Sequence, residues 1–158
     1  MVQRSTRASV QIFGFRKLVR APRGFVFRWC TDFRDDDDRI TDSIYHFRAK
    51  IVLRDPARVV RIITVPGRDR NRNTDVEIIS LRPPDRWRLD KFSVTDDETG
   101  WYRLTHKGHT LTTIEMRFRR KWKVGRPPDQ KRYLALFDRV WDRYVEVMEA
   151  DYRHHLGE

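Results

Sequence analysis

The last thirty residues of the chain constrain its fold most strongly. Residues 127–156 open on two prolines and Asp129, a combination that favours a helix start because proline lacks the N–H and aspartate can cap free ones. Apolar side chains then recur at steps of three and four: Leu134, Phe137, Trp141, Val145, Met148 and Tyr152. This spacing predicts an amphipathic helix about 40 Å long. Such a helix needs a matching apolar surface in the rest of the chain.

The preceding residues are typical of strands. Residues 10–20 predict a first strand, with Phe13, Phe15 and Val19 on one face. Two short helices follow, at residues 25–31 and within residues 34–42. Alternating apolar and polar residues, separated by turn residues, then predict six further strands, at residues 45–54, 59–65, 76–81, 87–94, 101–106 and 110–123.

The order of these elements predicts the fold class. Antiparallel meanders with one solvated face alternate in this way, and a sheet of seven strands curls rather than staying flat. We therefore expect an α+β fold, in which a curled seven-stranded antiparallel sheet is combined with two short helices and grips the long C-terminal helix.

The length and composition predict a single domain over residues 1–158, with residues 1–8 as a loose terminus. No apolar run approaches the roughly 18 residues of a membrane span, and no leader segment is recognisable. Cys30 is the only cysteine, which excludes an internal disulfide and a cysteine-based metal cluster. We expect a cytoplasmic protein without a metal or cofactor, and its oligomeric state stays open.

The chain is strongly basic, with 34 lysine and arginine residues against 23 acidic ones and a formal net charge of +11. This balance favours weak, non-specific contact with nucleic acid or anionic membranes. The basic residues are spread along the chain, which also fits ordinary solvated strand faces. A single contiguous arginine face in the folded protein would favour the binding role.

Three stretches resemble the START-like, or Bet v 1-like, superfamily, also called SRPBCC or polyketide cyclase/dehydrase-like. They are Val19-Arg20-Ala21-Pro22 leading into a short helix that ends at Thr31-Asp32, the segment from Gly100 to Thr112, and the C-terminal helix. The resemblance implies the helix-grip fold, with a hydrophobic tunnel between sheet and helix. Relatives bind lipids, sterols, quinones, polyketides or plant hormones there, a minority catalyse cyclisation or dehydration, and others act as chaperone co-activators or ribosome-associated factors. Because the superfamily has no invariant catalytic signature, we assign no catalytic residue.

The residues predicted to line such a cavity are mostly apolar and lie on the inner faces of strands and helix. They are Phe47, Ile51, Trp101, Ile114, Met116, Phe118, Arg120, Phe137, Trp141, Tyr144 and Met148. The alternative is a solid core, since aromatic stripes usually mean packing. Arg120, on the apolar side of the last strand, either holds a ligand carboxylate or extends from a strand end to water.

Other polar groups give weaker signals. His106 and His109 flank Lys107-Gly108, so a two-residue hairpin would place them opposite each other, but two ligands make a poor zinc site. The run Asp35-Asp36-Asp37-Asp38 lacks the spacing of a calcium loop and is expected to be a solvated turn. Cys30 is expected to be a buried, inert thiol.

Three functions remain in competition. The first is binding of a hydrophobic or amphipathic small molecule, such as a lipid, a quinone or a polyketide-like compound, under the long helix. The second is a cyclase or dehydratase using the same cavity, with Arg120, Arg103, Tyr102 and Tyr144 as polar candidates. Polar groups converging inside the cavity would favour this enzyme. The third is a basic interaction module for RNA, the ribosome or an anionic membrane.

Overall fold

The computed structural model of the protein describes residues 9–34, 36–69 and 73–157. The predicted loose terminus at residues 1–8 and Asp35 of the aspartate run lie outside these ranges. Within them the strands are β1 (Ser9–Val19), β2 (Arg48–Asp55), β3 (Arg58–Thr64), β4 (Thr74–Arg82), β5 (Arg86–Phe92), β6 (Asp96–His106) and β7 (Thr112–Trp122). The helices are α1 (Arg23–Thr31) and α2 (Gln130–His155), with a single 3-10 turn at Asp37–Arg39 where a second short helix was expected.

The seven strands form one antiparallel sheet in the order β1-β7-β6-β5-β4-β3-β2. Consecutive strands from β2 to β7 pair with each other as a meander, and β1 joins at the far side of β7. The sheet stays open, with β1 and β2 as its edges. The predicted α+β architecture, an antiparallel seven-stranded sheet with one long C-terminal helix, is confirmed.

Helix α2 begins and ends as the sequence predicts. The Asp129 side chain accepts a hydrogen bond from the Lys131 N–H at 2.9 Å, and Gly157 adopts a left-handed conformation with φ of 79°. Trp141 and Met148 are buried on the face that meets the sheet. Lys17 of β1 binds both Asp138 and Asp142 on the helix, which ties α2 to one edge of the sheet.

The core lies between α2 and the inner face of the sheet. In β7 the residues at even positions from Thr112 to Arg120 are buried, as the alternation predicts. Phe118 stacks on Phe13 at 5.1 Å between ring centroids and meets Phe137 of α2 edge-on at 4.7 Å. This aromatic contact joins β1, β7 and the helix.

Several strand boundaries differ from the sequence-based expectation, and the most consequential differences are at β6 and at its connection to β7. β6 begins at Asp96 rather than at residue 101, because the acidic segment expected to be a turn pairs with β5 and β7 as a strand. The β6–β7 connection has five residues rather than two, and it is closed by a bond from the Lys107 N–H to the Leu111 carbonyl. His106 therefore pairs with Thr112, and the expected juxtaposition of His106 and His109 is wrong.

Gly100 of β6 supplies the space that the Phe118 ring occupies. A Cβ at this position would lie 2.8 Å from one ring carbon of Phe118 and 3.1 Å from another, and 3.1 Å from the Tyr102 ring. Because Phe118 is fully buried, its ring cannot move aside without disturbing its neighbours.

We predict that Gly100→Ala lowers the free energy of unfolding by about 1–3 kcal/mol through overpacking. The matched control is Gly24→Ala in α1, where the nearest atom to a new Cβ is the mobile Arg28 guanidinium at 3.6 Å. The control should be neutral or stabilising by less than about 1 kcal/mol. Urea unfolding of both variants measures the difference, and equal midpoints would contradict the assigned packing.

Candidate ligand cavity

A cavity of about 410 Å³ lies between the first half of α2 and the inner face of the sheet. One side of it is aromatic and the other carries charged groups. The aromatic side consists of Trp87, Tyr102, Phe137, Trp141 and Tyr144. The charged side consists mainly of residues from β3 to β7 and one tyrosine of α2: Arg61, Asp75, Glu77, Lys91, Glu98, Arg120 and Tyr133.

The aromatic side is a continuous set of ring contacts. Trp87 of β5 stacks on Tyr102 of β6 at 4.7 Å with an interplanar angle of 10°. Trp141 of α2 contacts Tyr102 at 5.9 Å and Tyr144 at 5.4 Å. Such an arrangement offers flat, rigid apolar surface to a ligand at little entropic cost, because the rings already hold each other in place.

Arg61 and Glu77 form a buried ion pair on neighbouring strands. They are register partners in β3 and β4, and the Arg61 Nε donates to Glu77 Oε2 at 2.5 Å. The guanidinium also lies over the Phe33 ring, 4.8 Å from its centroid. Burial disfavours the charged guanidinium, but the adjacent Glu77 carboxylate outweighs this effect and raises the pKa of Arg61.

Asp96 is the centre of a second buried cluster. Its Oδ2 accepts from the Arg120 Nε at 2.7 Å and lies 3.3 Å from the Lys91 Nζ. Burial alone would raise the pKa of Asp96, but Lys91 and the hydrogen bond from Arg120 hold it well below its usual range. Burial acts to lower the pKa of Lys91, yet Glu98 and Asp96 raise it, so Lys91 is a cation at neutral pH.

Arg120 is held by more than its counter-charge. Its guanidinium lies between the rings of Tyr133 and Trp122, 4.2 Å and 4.8 Å from their centroids. Its Nη1 is buried without a hydrogen-bond partner among the described residues. Of the two interpretations offered by the sequence, extension to water is wrong, because the side chain is only 8% exposed.

Tyr133 and Glu98 join the helix to the charged side of the cavity. The Tyr133 hydroxyl donates to Glu98 Oε2 at 2.8 Å. Burial and the neighbouring Glu98 carboxylate raise the pKa of Tyr133, so the hydroxyl keeps its proton and acts as a donor. Further along this side, Arg68 lies 3.3 Å from Asp75 and donates to the Tyr45 hydroxyl at 3.0 Å.

The end of the cavity near α1 is acidic. Trp29 of α1 lines it and donates its Nε1 hydrogen to Asp151 of α2 at 2.7 Å. Burial and the nearby Asp37 raise the pKa of Asp32 to about 6. Cys30 lines the cavity and is half-buried rather than buried as expected, and desolvation raises the pKa of its thiol. Asp38 is buried and accepts from the Ala49 N–H, so the expected solvated aspartate turn is wrong at this residue.

Five of the predicted site residues line the cavity: Phe47, Arg120, Phe137, Trp141 and Tyr144. Four others are fully buried in the packed core instead, namely Ile114, Met116, Phe118 and Met148. Ile51 is half-buried and packs against that core. These residues are therefore packed in the core, and the open volume lies along the first half of α2.

Trp101 is placed on the wrong side of the sheet by the sequence analysis. It is 43% exposed on the outer face, because Gly100, Tyr102 and Leu104 take the inward positions of β6. Arg103 is exposed on the same outer face, so its proposal as a polar cavity residue is wrong as well.

The sequence analysis missed most of the charged side: Arg61, Asp75, Glu77, Lys91, Glu98 and Tyr133. A signal was present, because Glu77 shares its face with Ile79, and Lys91 shares its face with Trp87 and Leu89. The sequence interpretation treated charged strand residues as outward-facing. In the folded protein an opposite charge lies beside each of the inward-facing charged residues. In the described part of the chain, no three histidine, cysteine or acidic side chains are grouped to hold a metal ion.

Comparison with known proteins identifies the fold but not a close relative. No family model matches the sequence, and no curated protein does. Among solved structures, the ZhuI aromatase/cyclase from Streptomyces sp. R1128 superposes with a TM-score of 0.67 at 12% identity, covering 94% of this chain and 96% of its own. Norcoclaurine synthase from Thalictrum flavum gives 0.65 at 9% identity, with 93% and 95% covered. Ara h 8.0201 gives 0.59 at 12%, with 90% and 99% covered.

The chain has the helix-grip fold of the Bet v 1-like proteins. The near-complete coverage in both directions includes the sheet, the short helix and the long C-terminal helix. At these identities the likeness extends to the fold alone. Among the described residues no helix is long and apolar enough to cross a membrane.

Asp96→Asn tests how strongly the buried cluster of Lys91, Arg120 and Asp96 depends on the Asp96 carboxylate for its stability. The substitution removes the carboxylate that contacts both Lys91 and Arg120, so we expect the free energy of unfolding to fall by about 3–5 kcal/mol. Asp97→Asn is the matched control. Asp97 pairs with Lys123 at 2.8 Å, but its side chain is 37% exposed, so its loss should cost less than about 1 kcal/mol.

The pH dependence of the Asp96→Asn effect follows from the lowered pKa of Asp96. A carboxyl group with a lowered folded-state pKa stabilises the protein above its unfolded pKa and loses that effect as the pH falls through the folded one. The difference from the wild type should therefore be constant from pH 7 to about 5 and shrink only below about pH 4. Urea unfolding at each pH measures this. A difference that already vanishes between pH 7 and 5 would contradict the assigned ion cluster.

Proposed function

We propose that the protein binds one amphipathic small molecule with an aromatic or polyketide-like ring system in the cavity under α2. The observation that carries this proposal is a cavity of about 410 Å³ with rings on one side and polar groups on the other. This volume falls within the usual range for small-molecule sites, about 300–1,000 Å³. The stacked Trp87 and Tyr102 rings favour a flat ligand over a flexible acyl chain.

The charged side favours an uncharged ligand with oxygen substituents. Arg61 is neutralised by Glu77, Arg68 by Asp75, and Lys91 and Arg120 by Asp96 and the adjacent Glu98. A charged ligand would have to displace one of these partners, which leaves another charge buried and unpaired. Carbonyl or hydroxyl groups, in contrast, can add hydrogen bonds to the cations without breaking the existing pairs. Quinones and polyketide-like compounds carry such groups.

Val140→Trp tests binding directly. Val140 lines the cavity from α2, so a larger side chain should occupy the space that the ligand needs. We expect the wild type to bind the uncharged fluorescent probe N-phenyl-1-naphthylamine near one equivalent per monomer. Val140→Trp should weaken this binding at least about tenfold, while its melting temperature stays close to that of the wild type because existing space is filled.

The matched controls are two further tryptophan substitutions on the same helix. Ala135 is exposed, so Ala135→Trp should leave probe binding and stability unchanged. Met148 is fully buried and does not line the cavity, so Met148→Trp should overpack the core and cost about 1–3 kcal/mol. A wild type that binds no probe, or a Val140→Trp variant that binds it as well as the wild type, would refute the proposal.

A second candidate is an enzyme that catalyses cyclisation or dehydration in the same cavity. The specific observation in its favour is the Tyr133–Glu98 hydrogen bond beside Lys91, because it places a proton donor, a carboxylate and a cation at one wall. Such groups can remove a proton between two carbonyl groups and stabilise the resulting enolate. The structural likeness to an aromatase/cyclase supports this candidate at the level of the fold. Binding remains the first choice because both functions require it.

Glu98→Gln separates the two candidates. The amide keeps the shape of the carboxylate but cannot take a proton, so it should abolish catalysis and leave probe binding within about threefold of the wild type. The measurement is the rate at which a synthetic poly-β-ketone thioester cyclises, followed by absorbance, with wild type, variant or buffer alone. If wild type and variant accelerate the reaction equally, Glu98 is not the base and the enzymatic candidate loses its support.

A further inference from the structure

The outer face of the sheet carries a feature that the cavity does not explain. Opposite the face that holds the cavity, a shallow depression runs across β4 to β7 around the exposed ring of Trp101. Six arginines and two acidic residues line it within the described part of the chain. The arginines are Arg82, Arg86, Arg88, Arg103, Arg117 and Arg119, and all six are exposed.

Strand register places these side chains next to one another. Arg88, Trp101 and Arg117 form one row across β5, β6 and β7, because Trp101 pairs with both arginines. Arg86 and Arg103 form the adjacent row. At the usual spacing of neighbouring strands, the four strands that carry the arginines span about 14 Å.

Most of this positive charge is not neutralised. Arg88 pairs with Asp90 at 2.9 Å, and Arg86 lies 3.6 Å from Asp85. Glu115, the other acid, pairs instead with Arg16 of β1. Arg82, Arg103, Arg117 and Arg119 make no ion pair with any residue in the described ranges. Like charges gathered on one face repel each other, so this arrangement favours a polyanionic partner.

The exposed ring of Trp101 indicates which kind of polyanion this face binds. The Arg88 guanidinium lies 5.7 Å from the centre of its ring, and the ring is 43% exposed inside the depression. It therefore offers a surface on which another flat ring can stack. Unpaired nucleic-acid bases stack on aromatic rings while arginines track the phosphates, whereas duplex bases are not available for stacking.

We propose that the outer face of β4–β7 is a binding site for single-stranded nucleic acid, with Trp101 as the stacking residue and Arg103 and Arg117 as phosphate ligands. This site is independent of the cavity, since Trp101, Arg103 and Arg117 alternate with the inward-facing residues of the same strands. Contacts to phosphates and to the flat faces of bases do not depend on which base is present, so binding should not depend on the nucleotide sequence. Because the phosphate contacts are electrostatic, binding should weaken as the salt concentration rises.

The experiment is fluorescence anisotropy with a labelled oligouridylate of about 12 nucleotides, a length within the site sizes of single-strand binding proteins. Trp101→Ala should weaken binding about tenfold, and Trp101→Phe should restore most of it because the phenyl ring still stacks. Arg103→Ala/Arg117→Ala should also weaken binding at least about tenfold. This double substitution should also make the slope of log affinity against log salt concentration less steep by about 1.4, because each single-strand phosphate contact contributes about 0.7.

The matched control removes the same charge from another surface. Arg132 and Arg139 are exposed on α2 and form no ion pair with a described residue, so Arg132→Ala/Arg139→Ala should leave binding within about twofold. Oligothymidylate should bind within about threefold of oligouridylate, because neither contact involves the 2′-hydroxyl. A duplex of equal length should bind more weakly and be unaffected by Trp101→Ala.

Three results would overturn the proposal. The first is an equal loss in the α2 control and the outer-face variant, which would make binding a matter of net charge. The second is unchanged single-strand affinity in Trp101→Ala. The third is preferential binding to phosphatidylglycerol vesicles over the oligonucleotide, which would assign the face to a membrane instead. Melting temperatures show whether each variant is folded. We expect all of the variants to fold, because the substituted side chains are exposed.

Discussion

The contact between α2 and the inner face of the sheet is the interaction on which the rest of the structure depends. An open sheet with one apolar face cannot remain in water without a cover, and α2 provides that cover together with α1, whose Val26 is buried in the same core. Two kinds of contact hold the helix. Phe137 and Trp141 pack into the aromatic rings of the sheet, and Lys17 of β1 binds two aspartates on the helix. The position of α2 then determines how much space is left beneath it.

A cavity exists there because long charged side chains occupy positions that would otherwise carry core residues. Arg61 and Glu77, or Arg120 and Asp96, pair with each other along the sheet. Ion pairs of this kind rarely stabilise a protein more than apolar packing would. Their presence at one end of an otherwise apolar interface is therefore better explained by a ligand than by stability. Further along α2, Met148 is fully buried and the interface is filled.

The alternation of strand side chains gives the same segment two surfaces with different chemistry. Along β6, Glu98 and Tyr102 line the cavity, while Trp101 and Arg103 face outward. A small molecule and a polyanion can therefore be held on opposite sides of one sheet, each by a different set of charged side chains. Variants of the charged residues on each side can therefore be tested separately.

The sequence by itself determined the elements and their order. The stripe from Leu134 to Tyr152 specified α2, and alternation specified the strands, because both signals depend only on the local repeat of the backbone. Five of the residues that it proposed for the cavity line it in the structure: Phe47, Arg120, Phe137, Trp141 and Tyr144.

Only the tertiary structure decided which inward positions border empty space and which are packed, as the difference between Trp141 and Met148 illustrates. It also decided that Asp96 and Glu98 begin an inward-facing strand, since their cationic partners Lys91 and Arg120 lie on neighbouring strands. A charge can be buried only where an opposite charge is brought to it. That depends on register between strands distant in sequence, which no local pattern records.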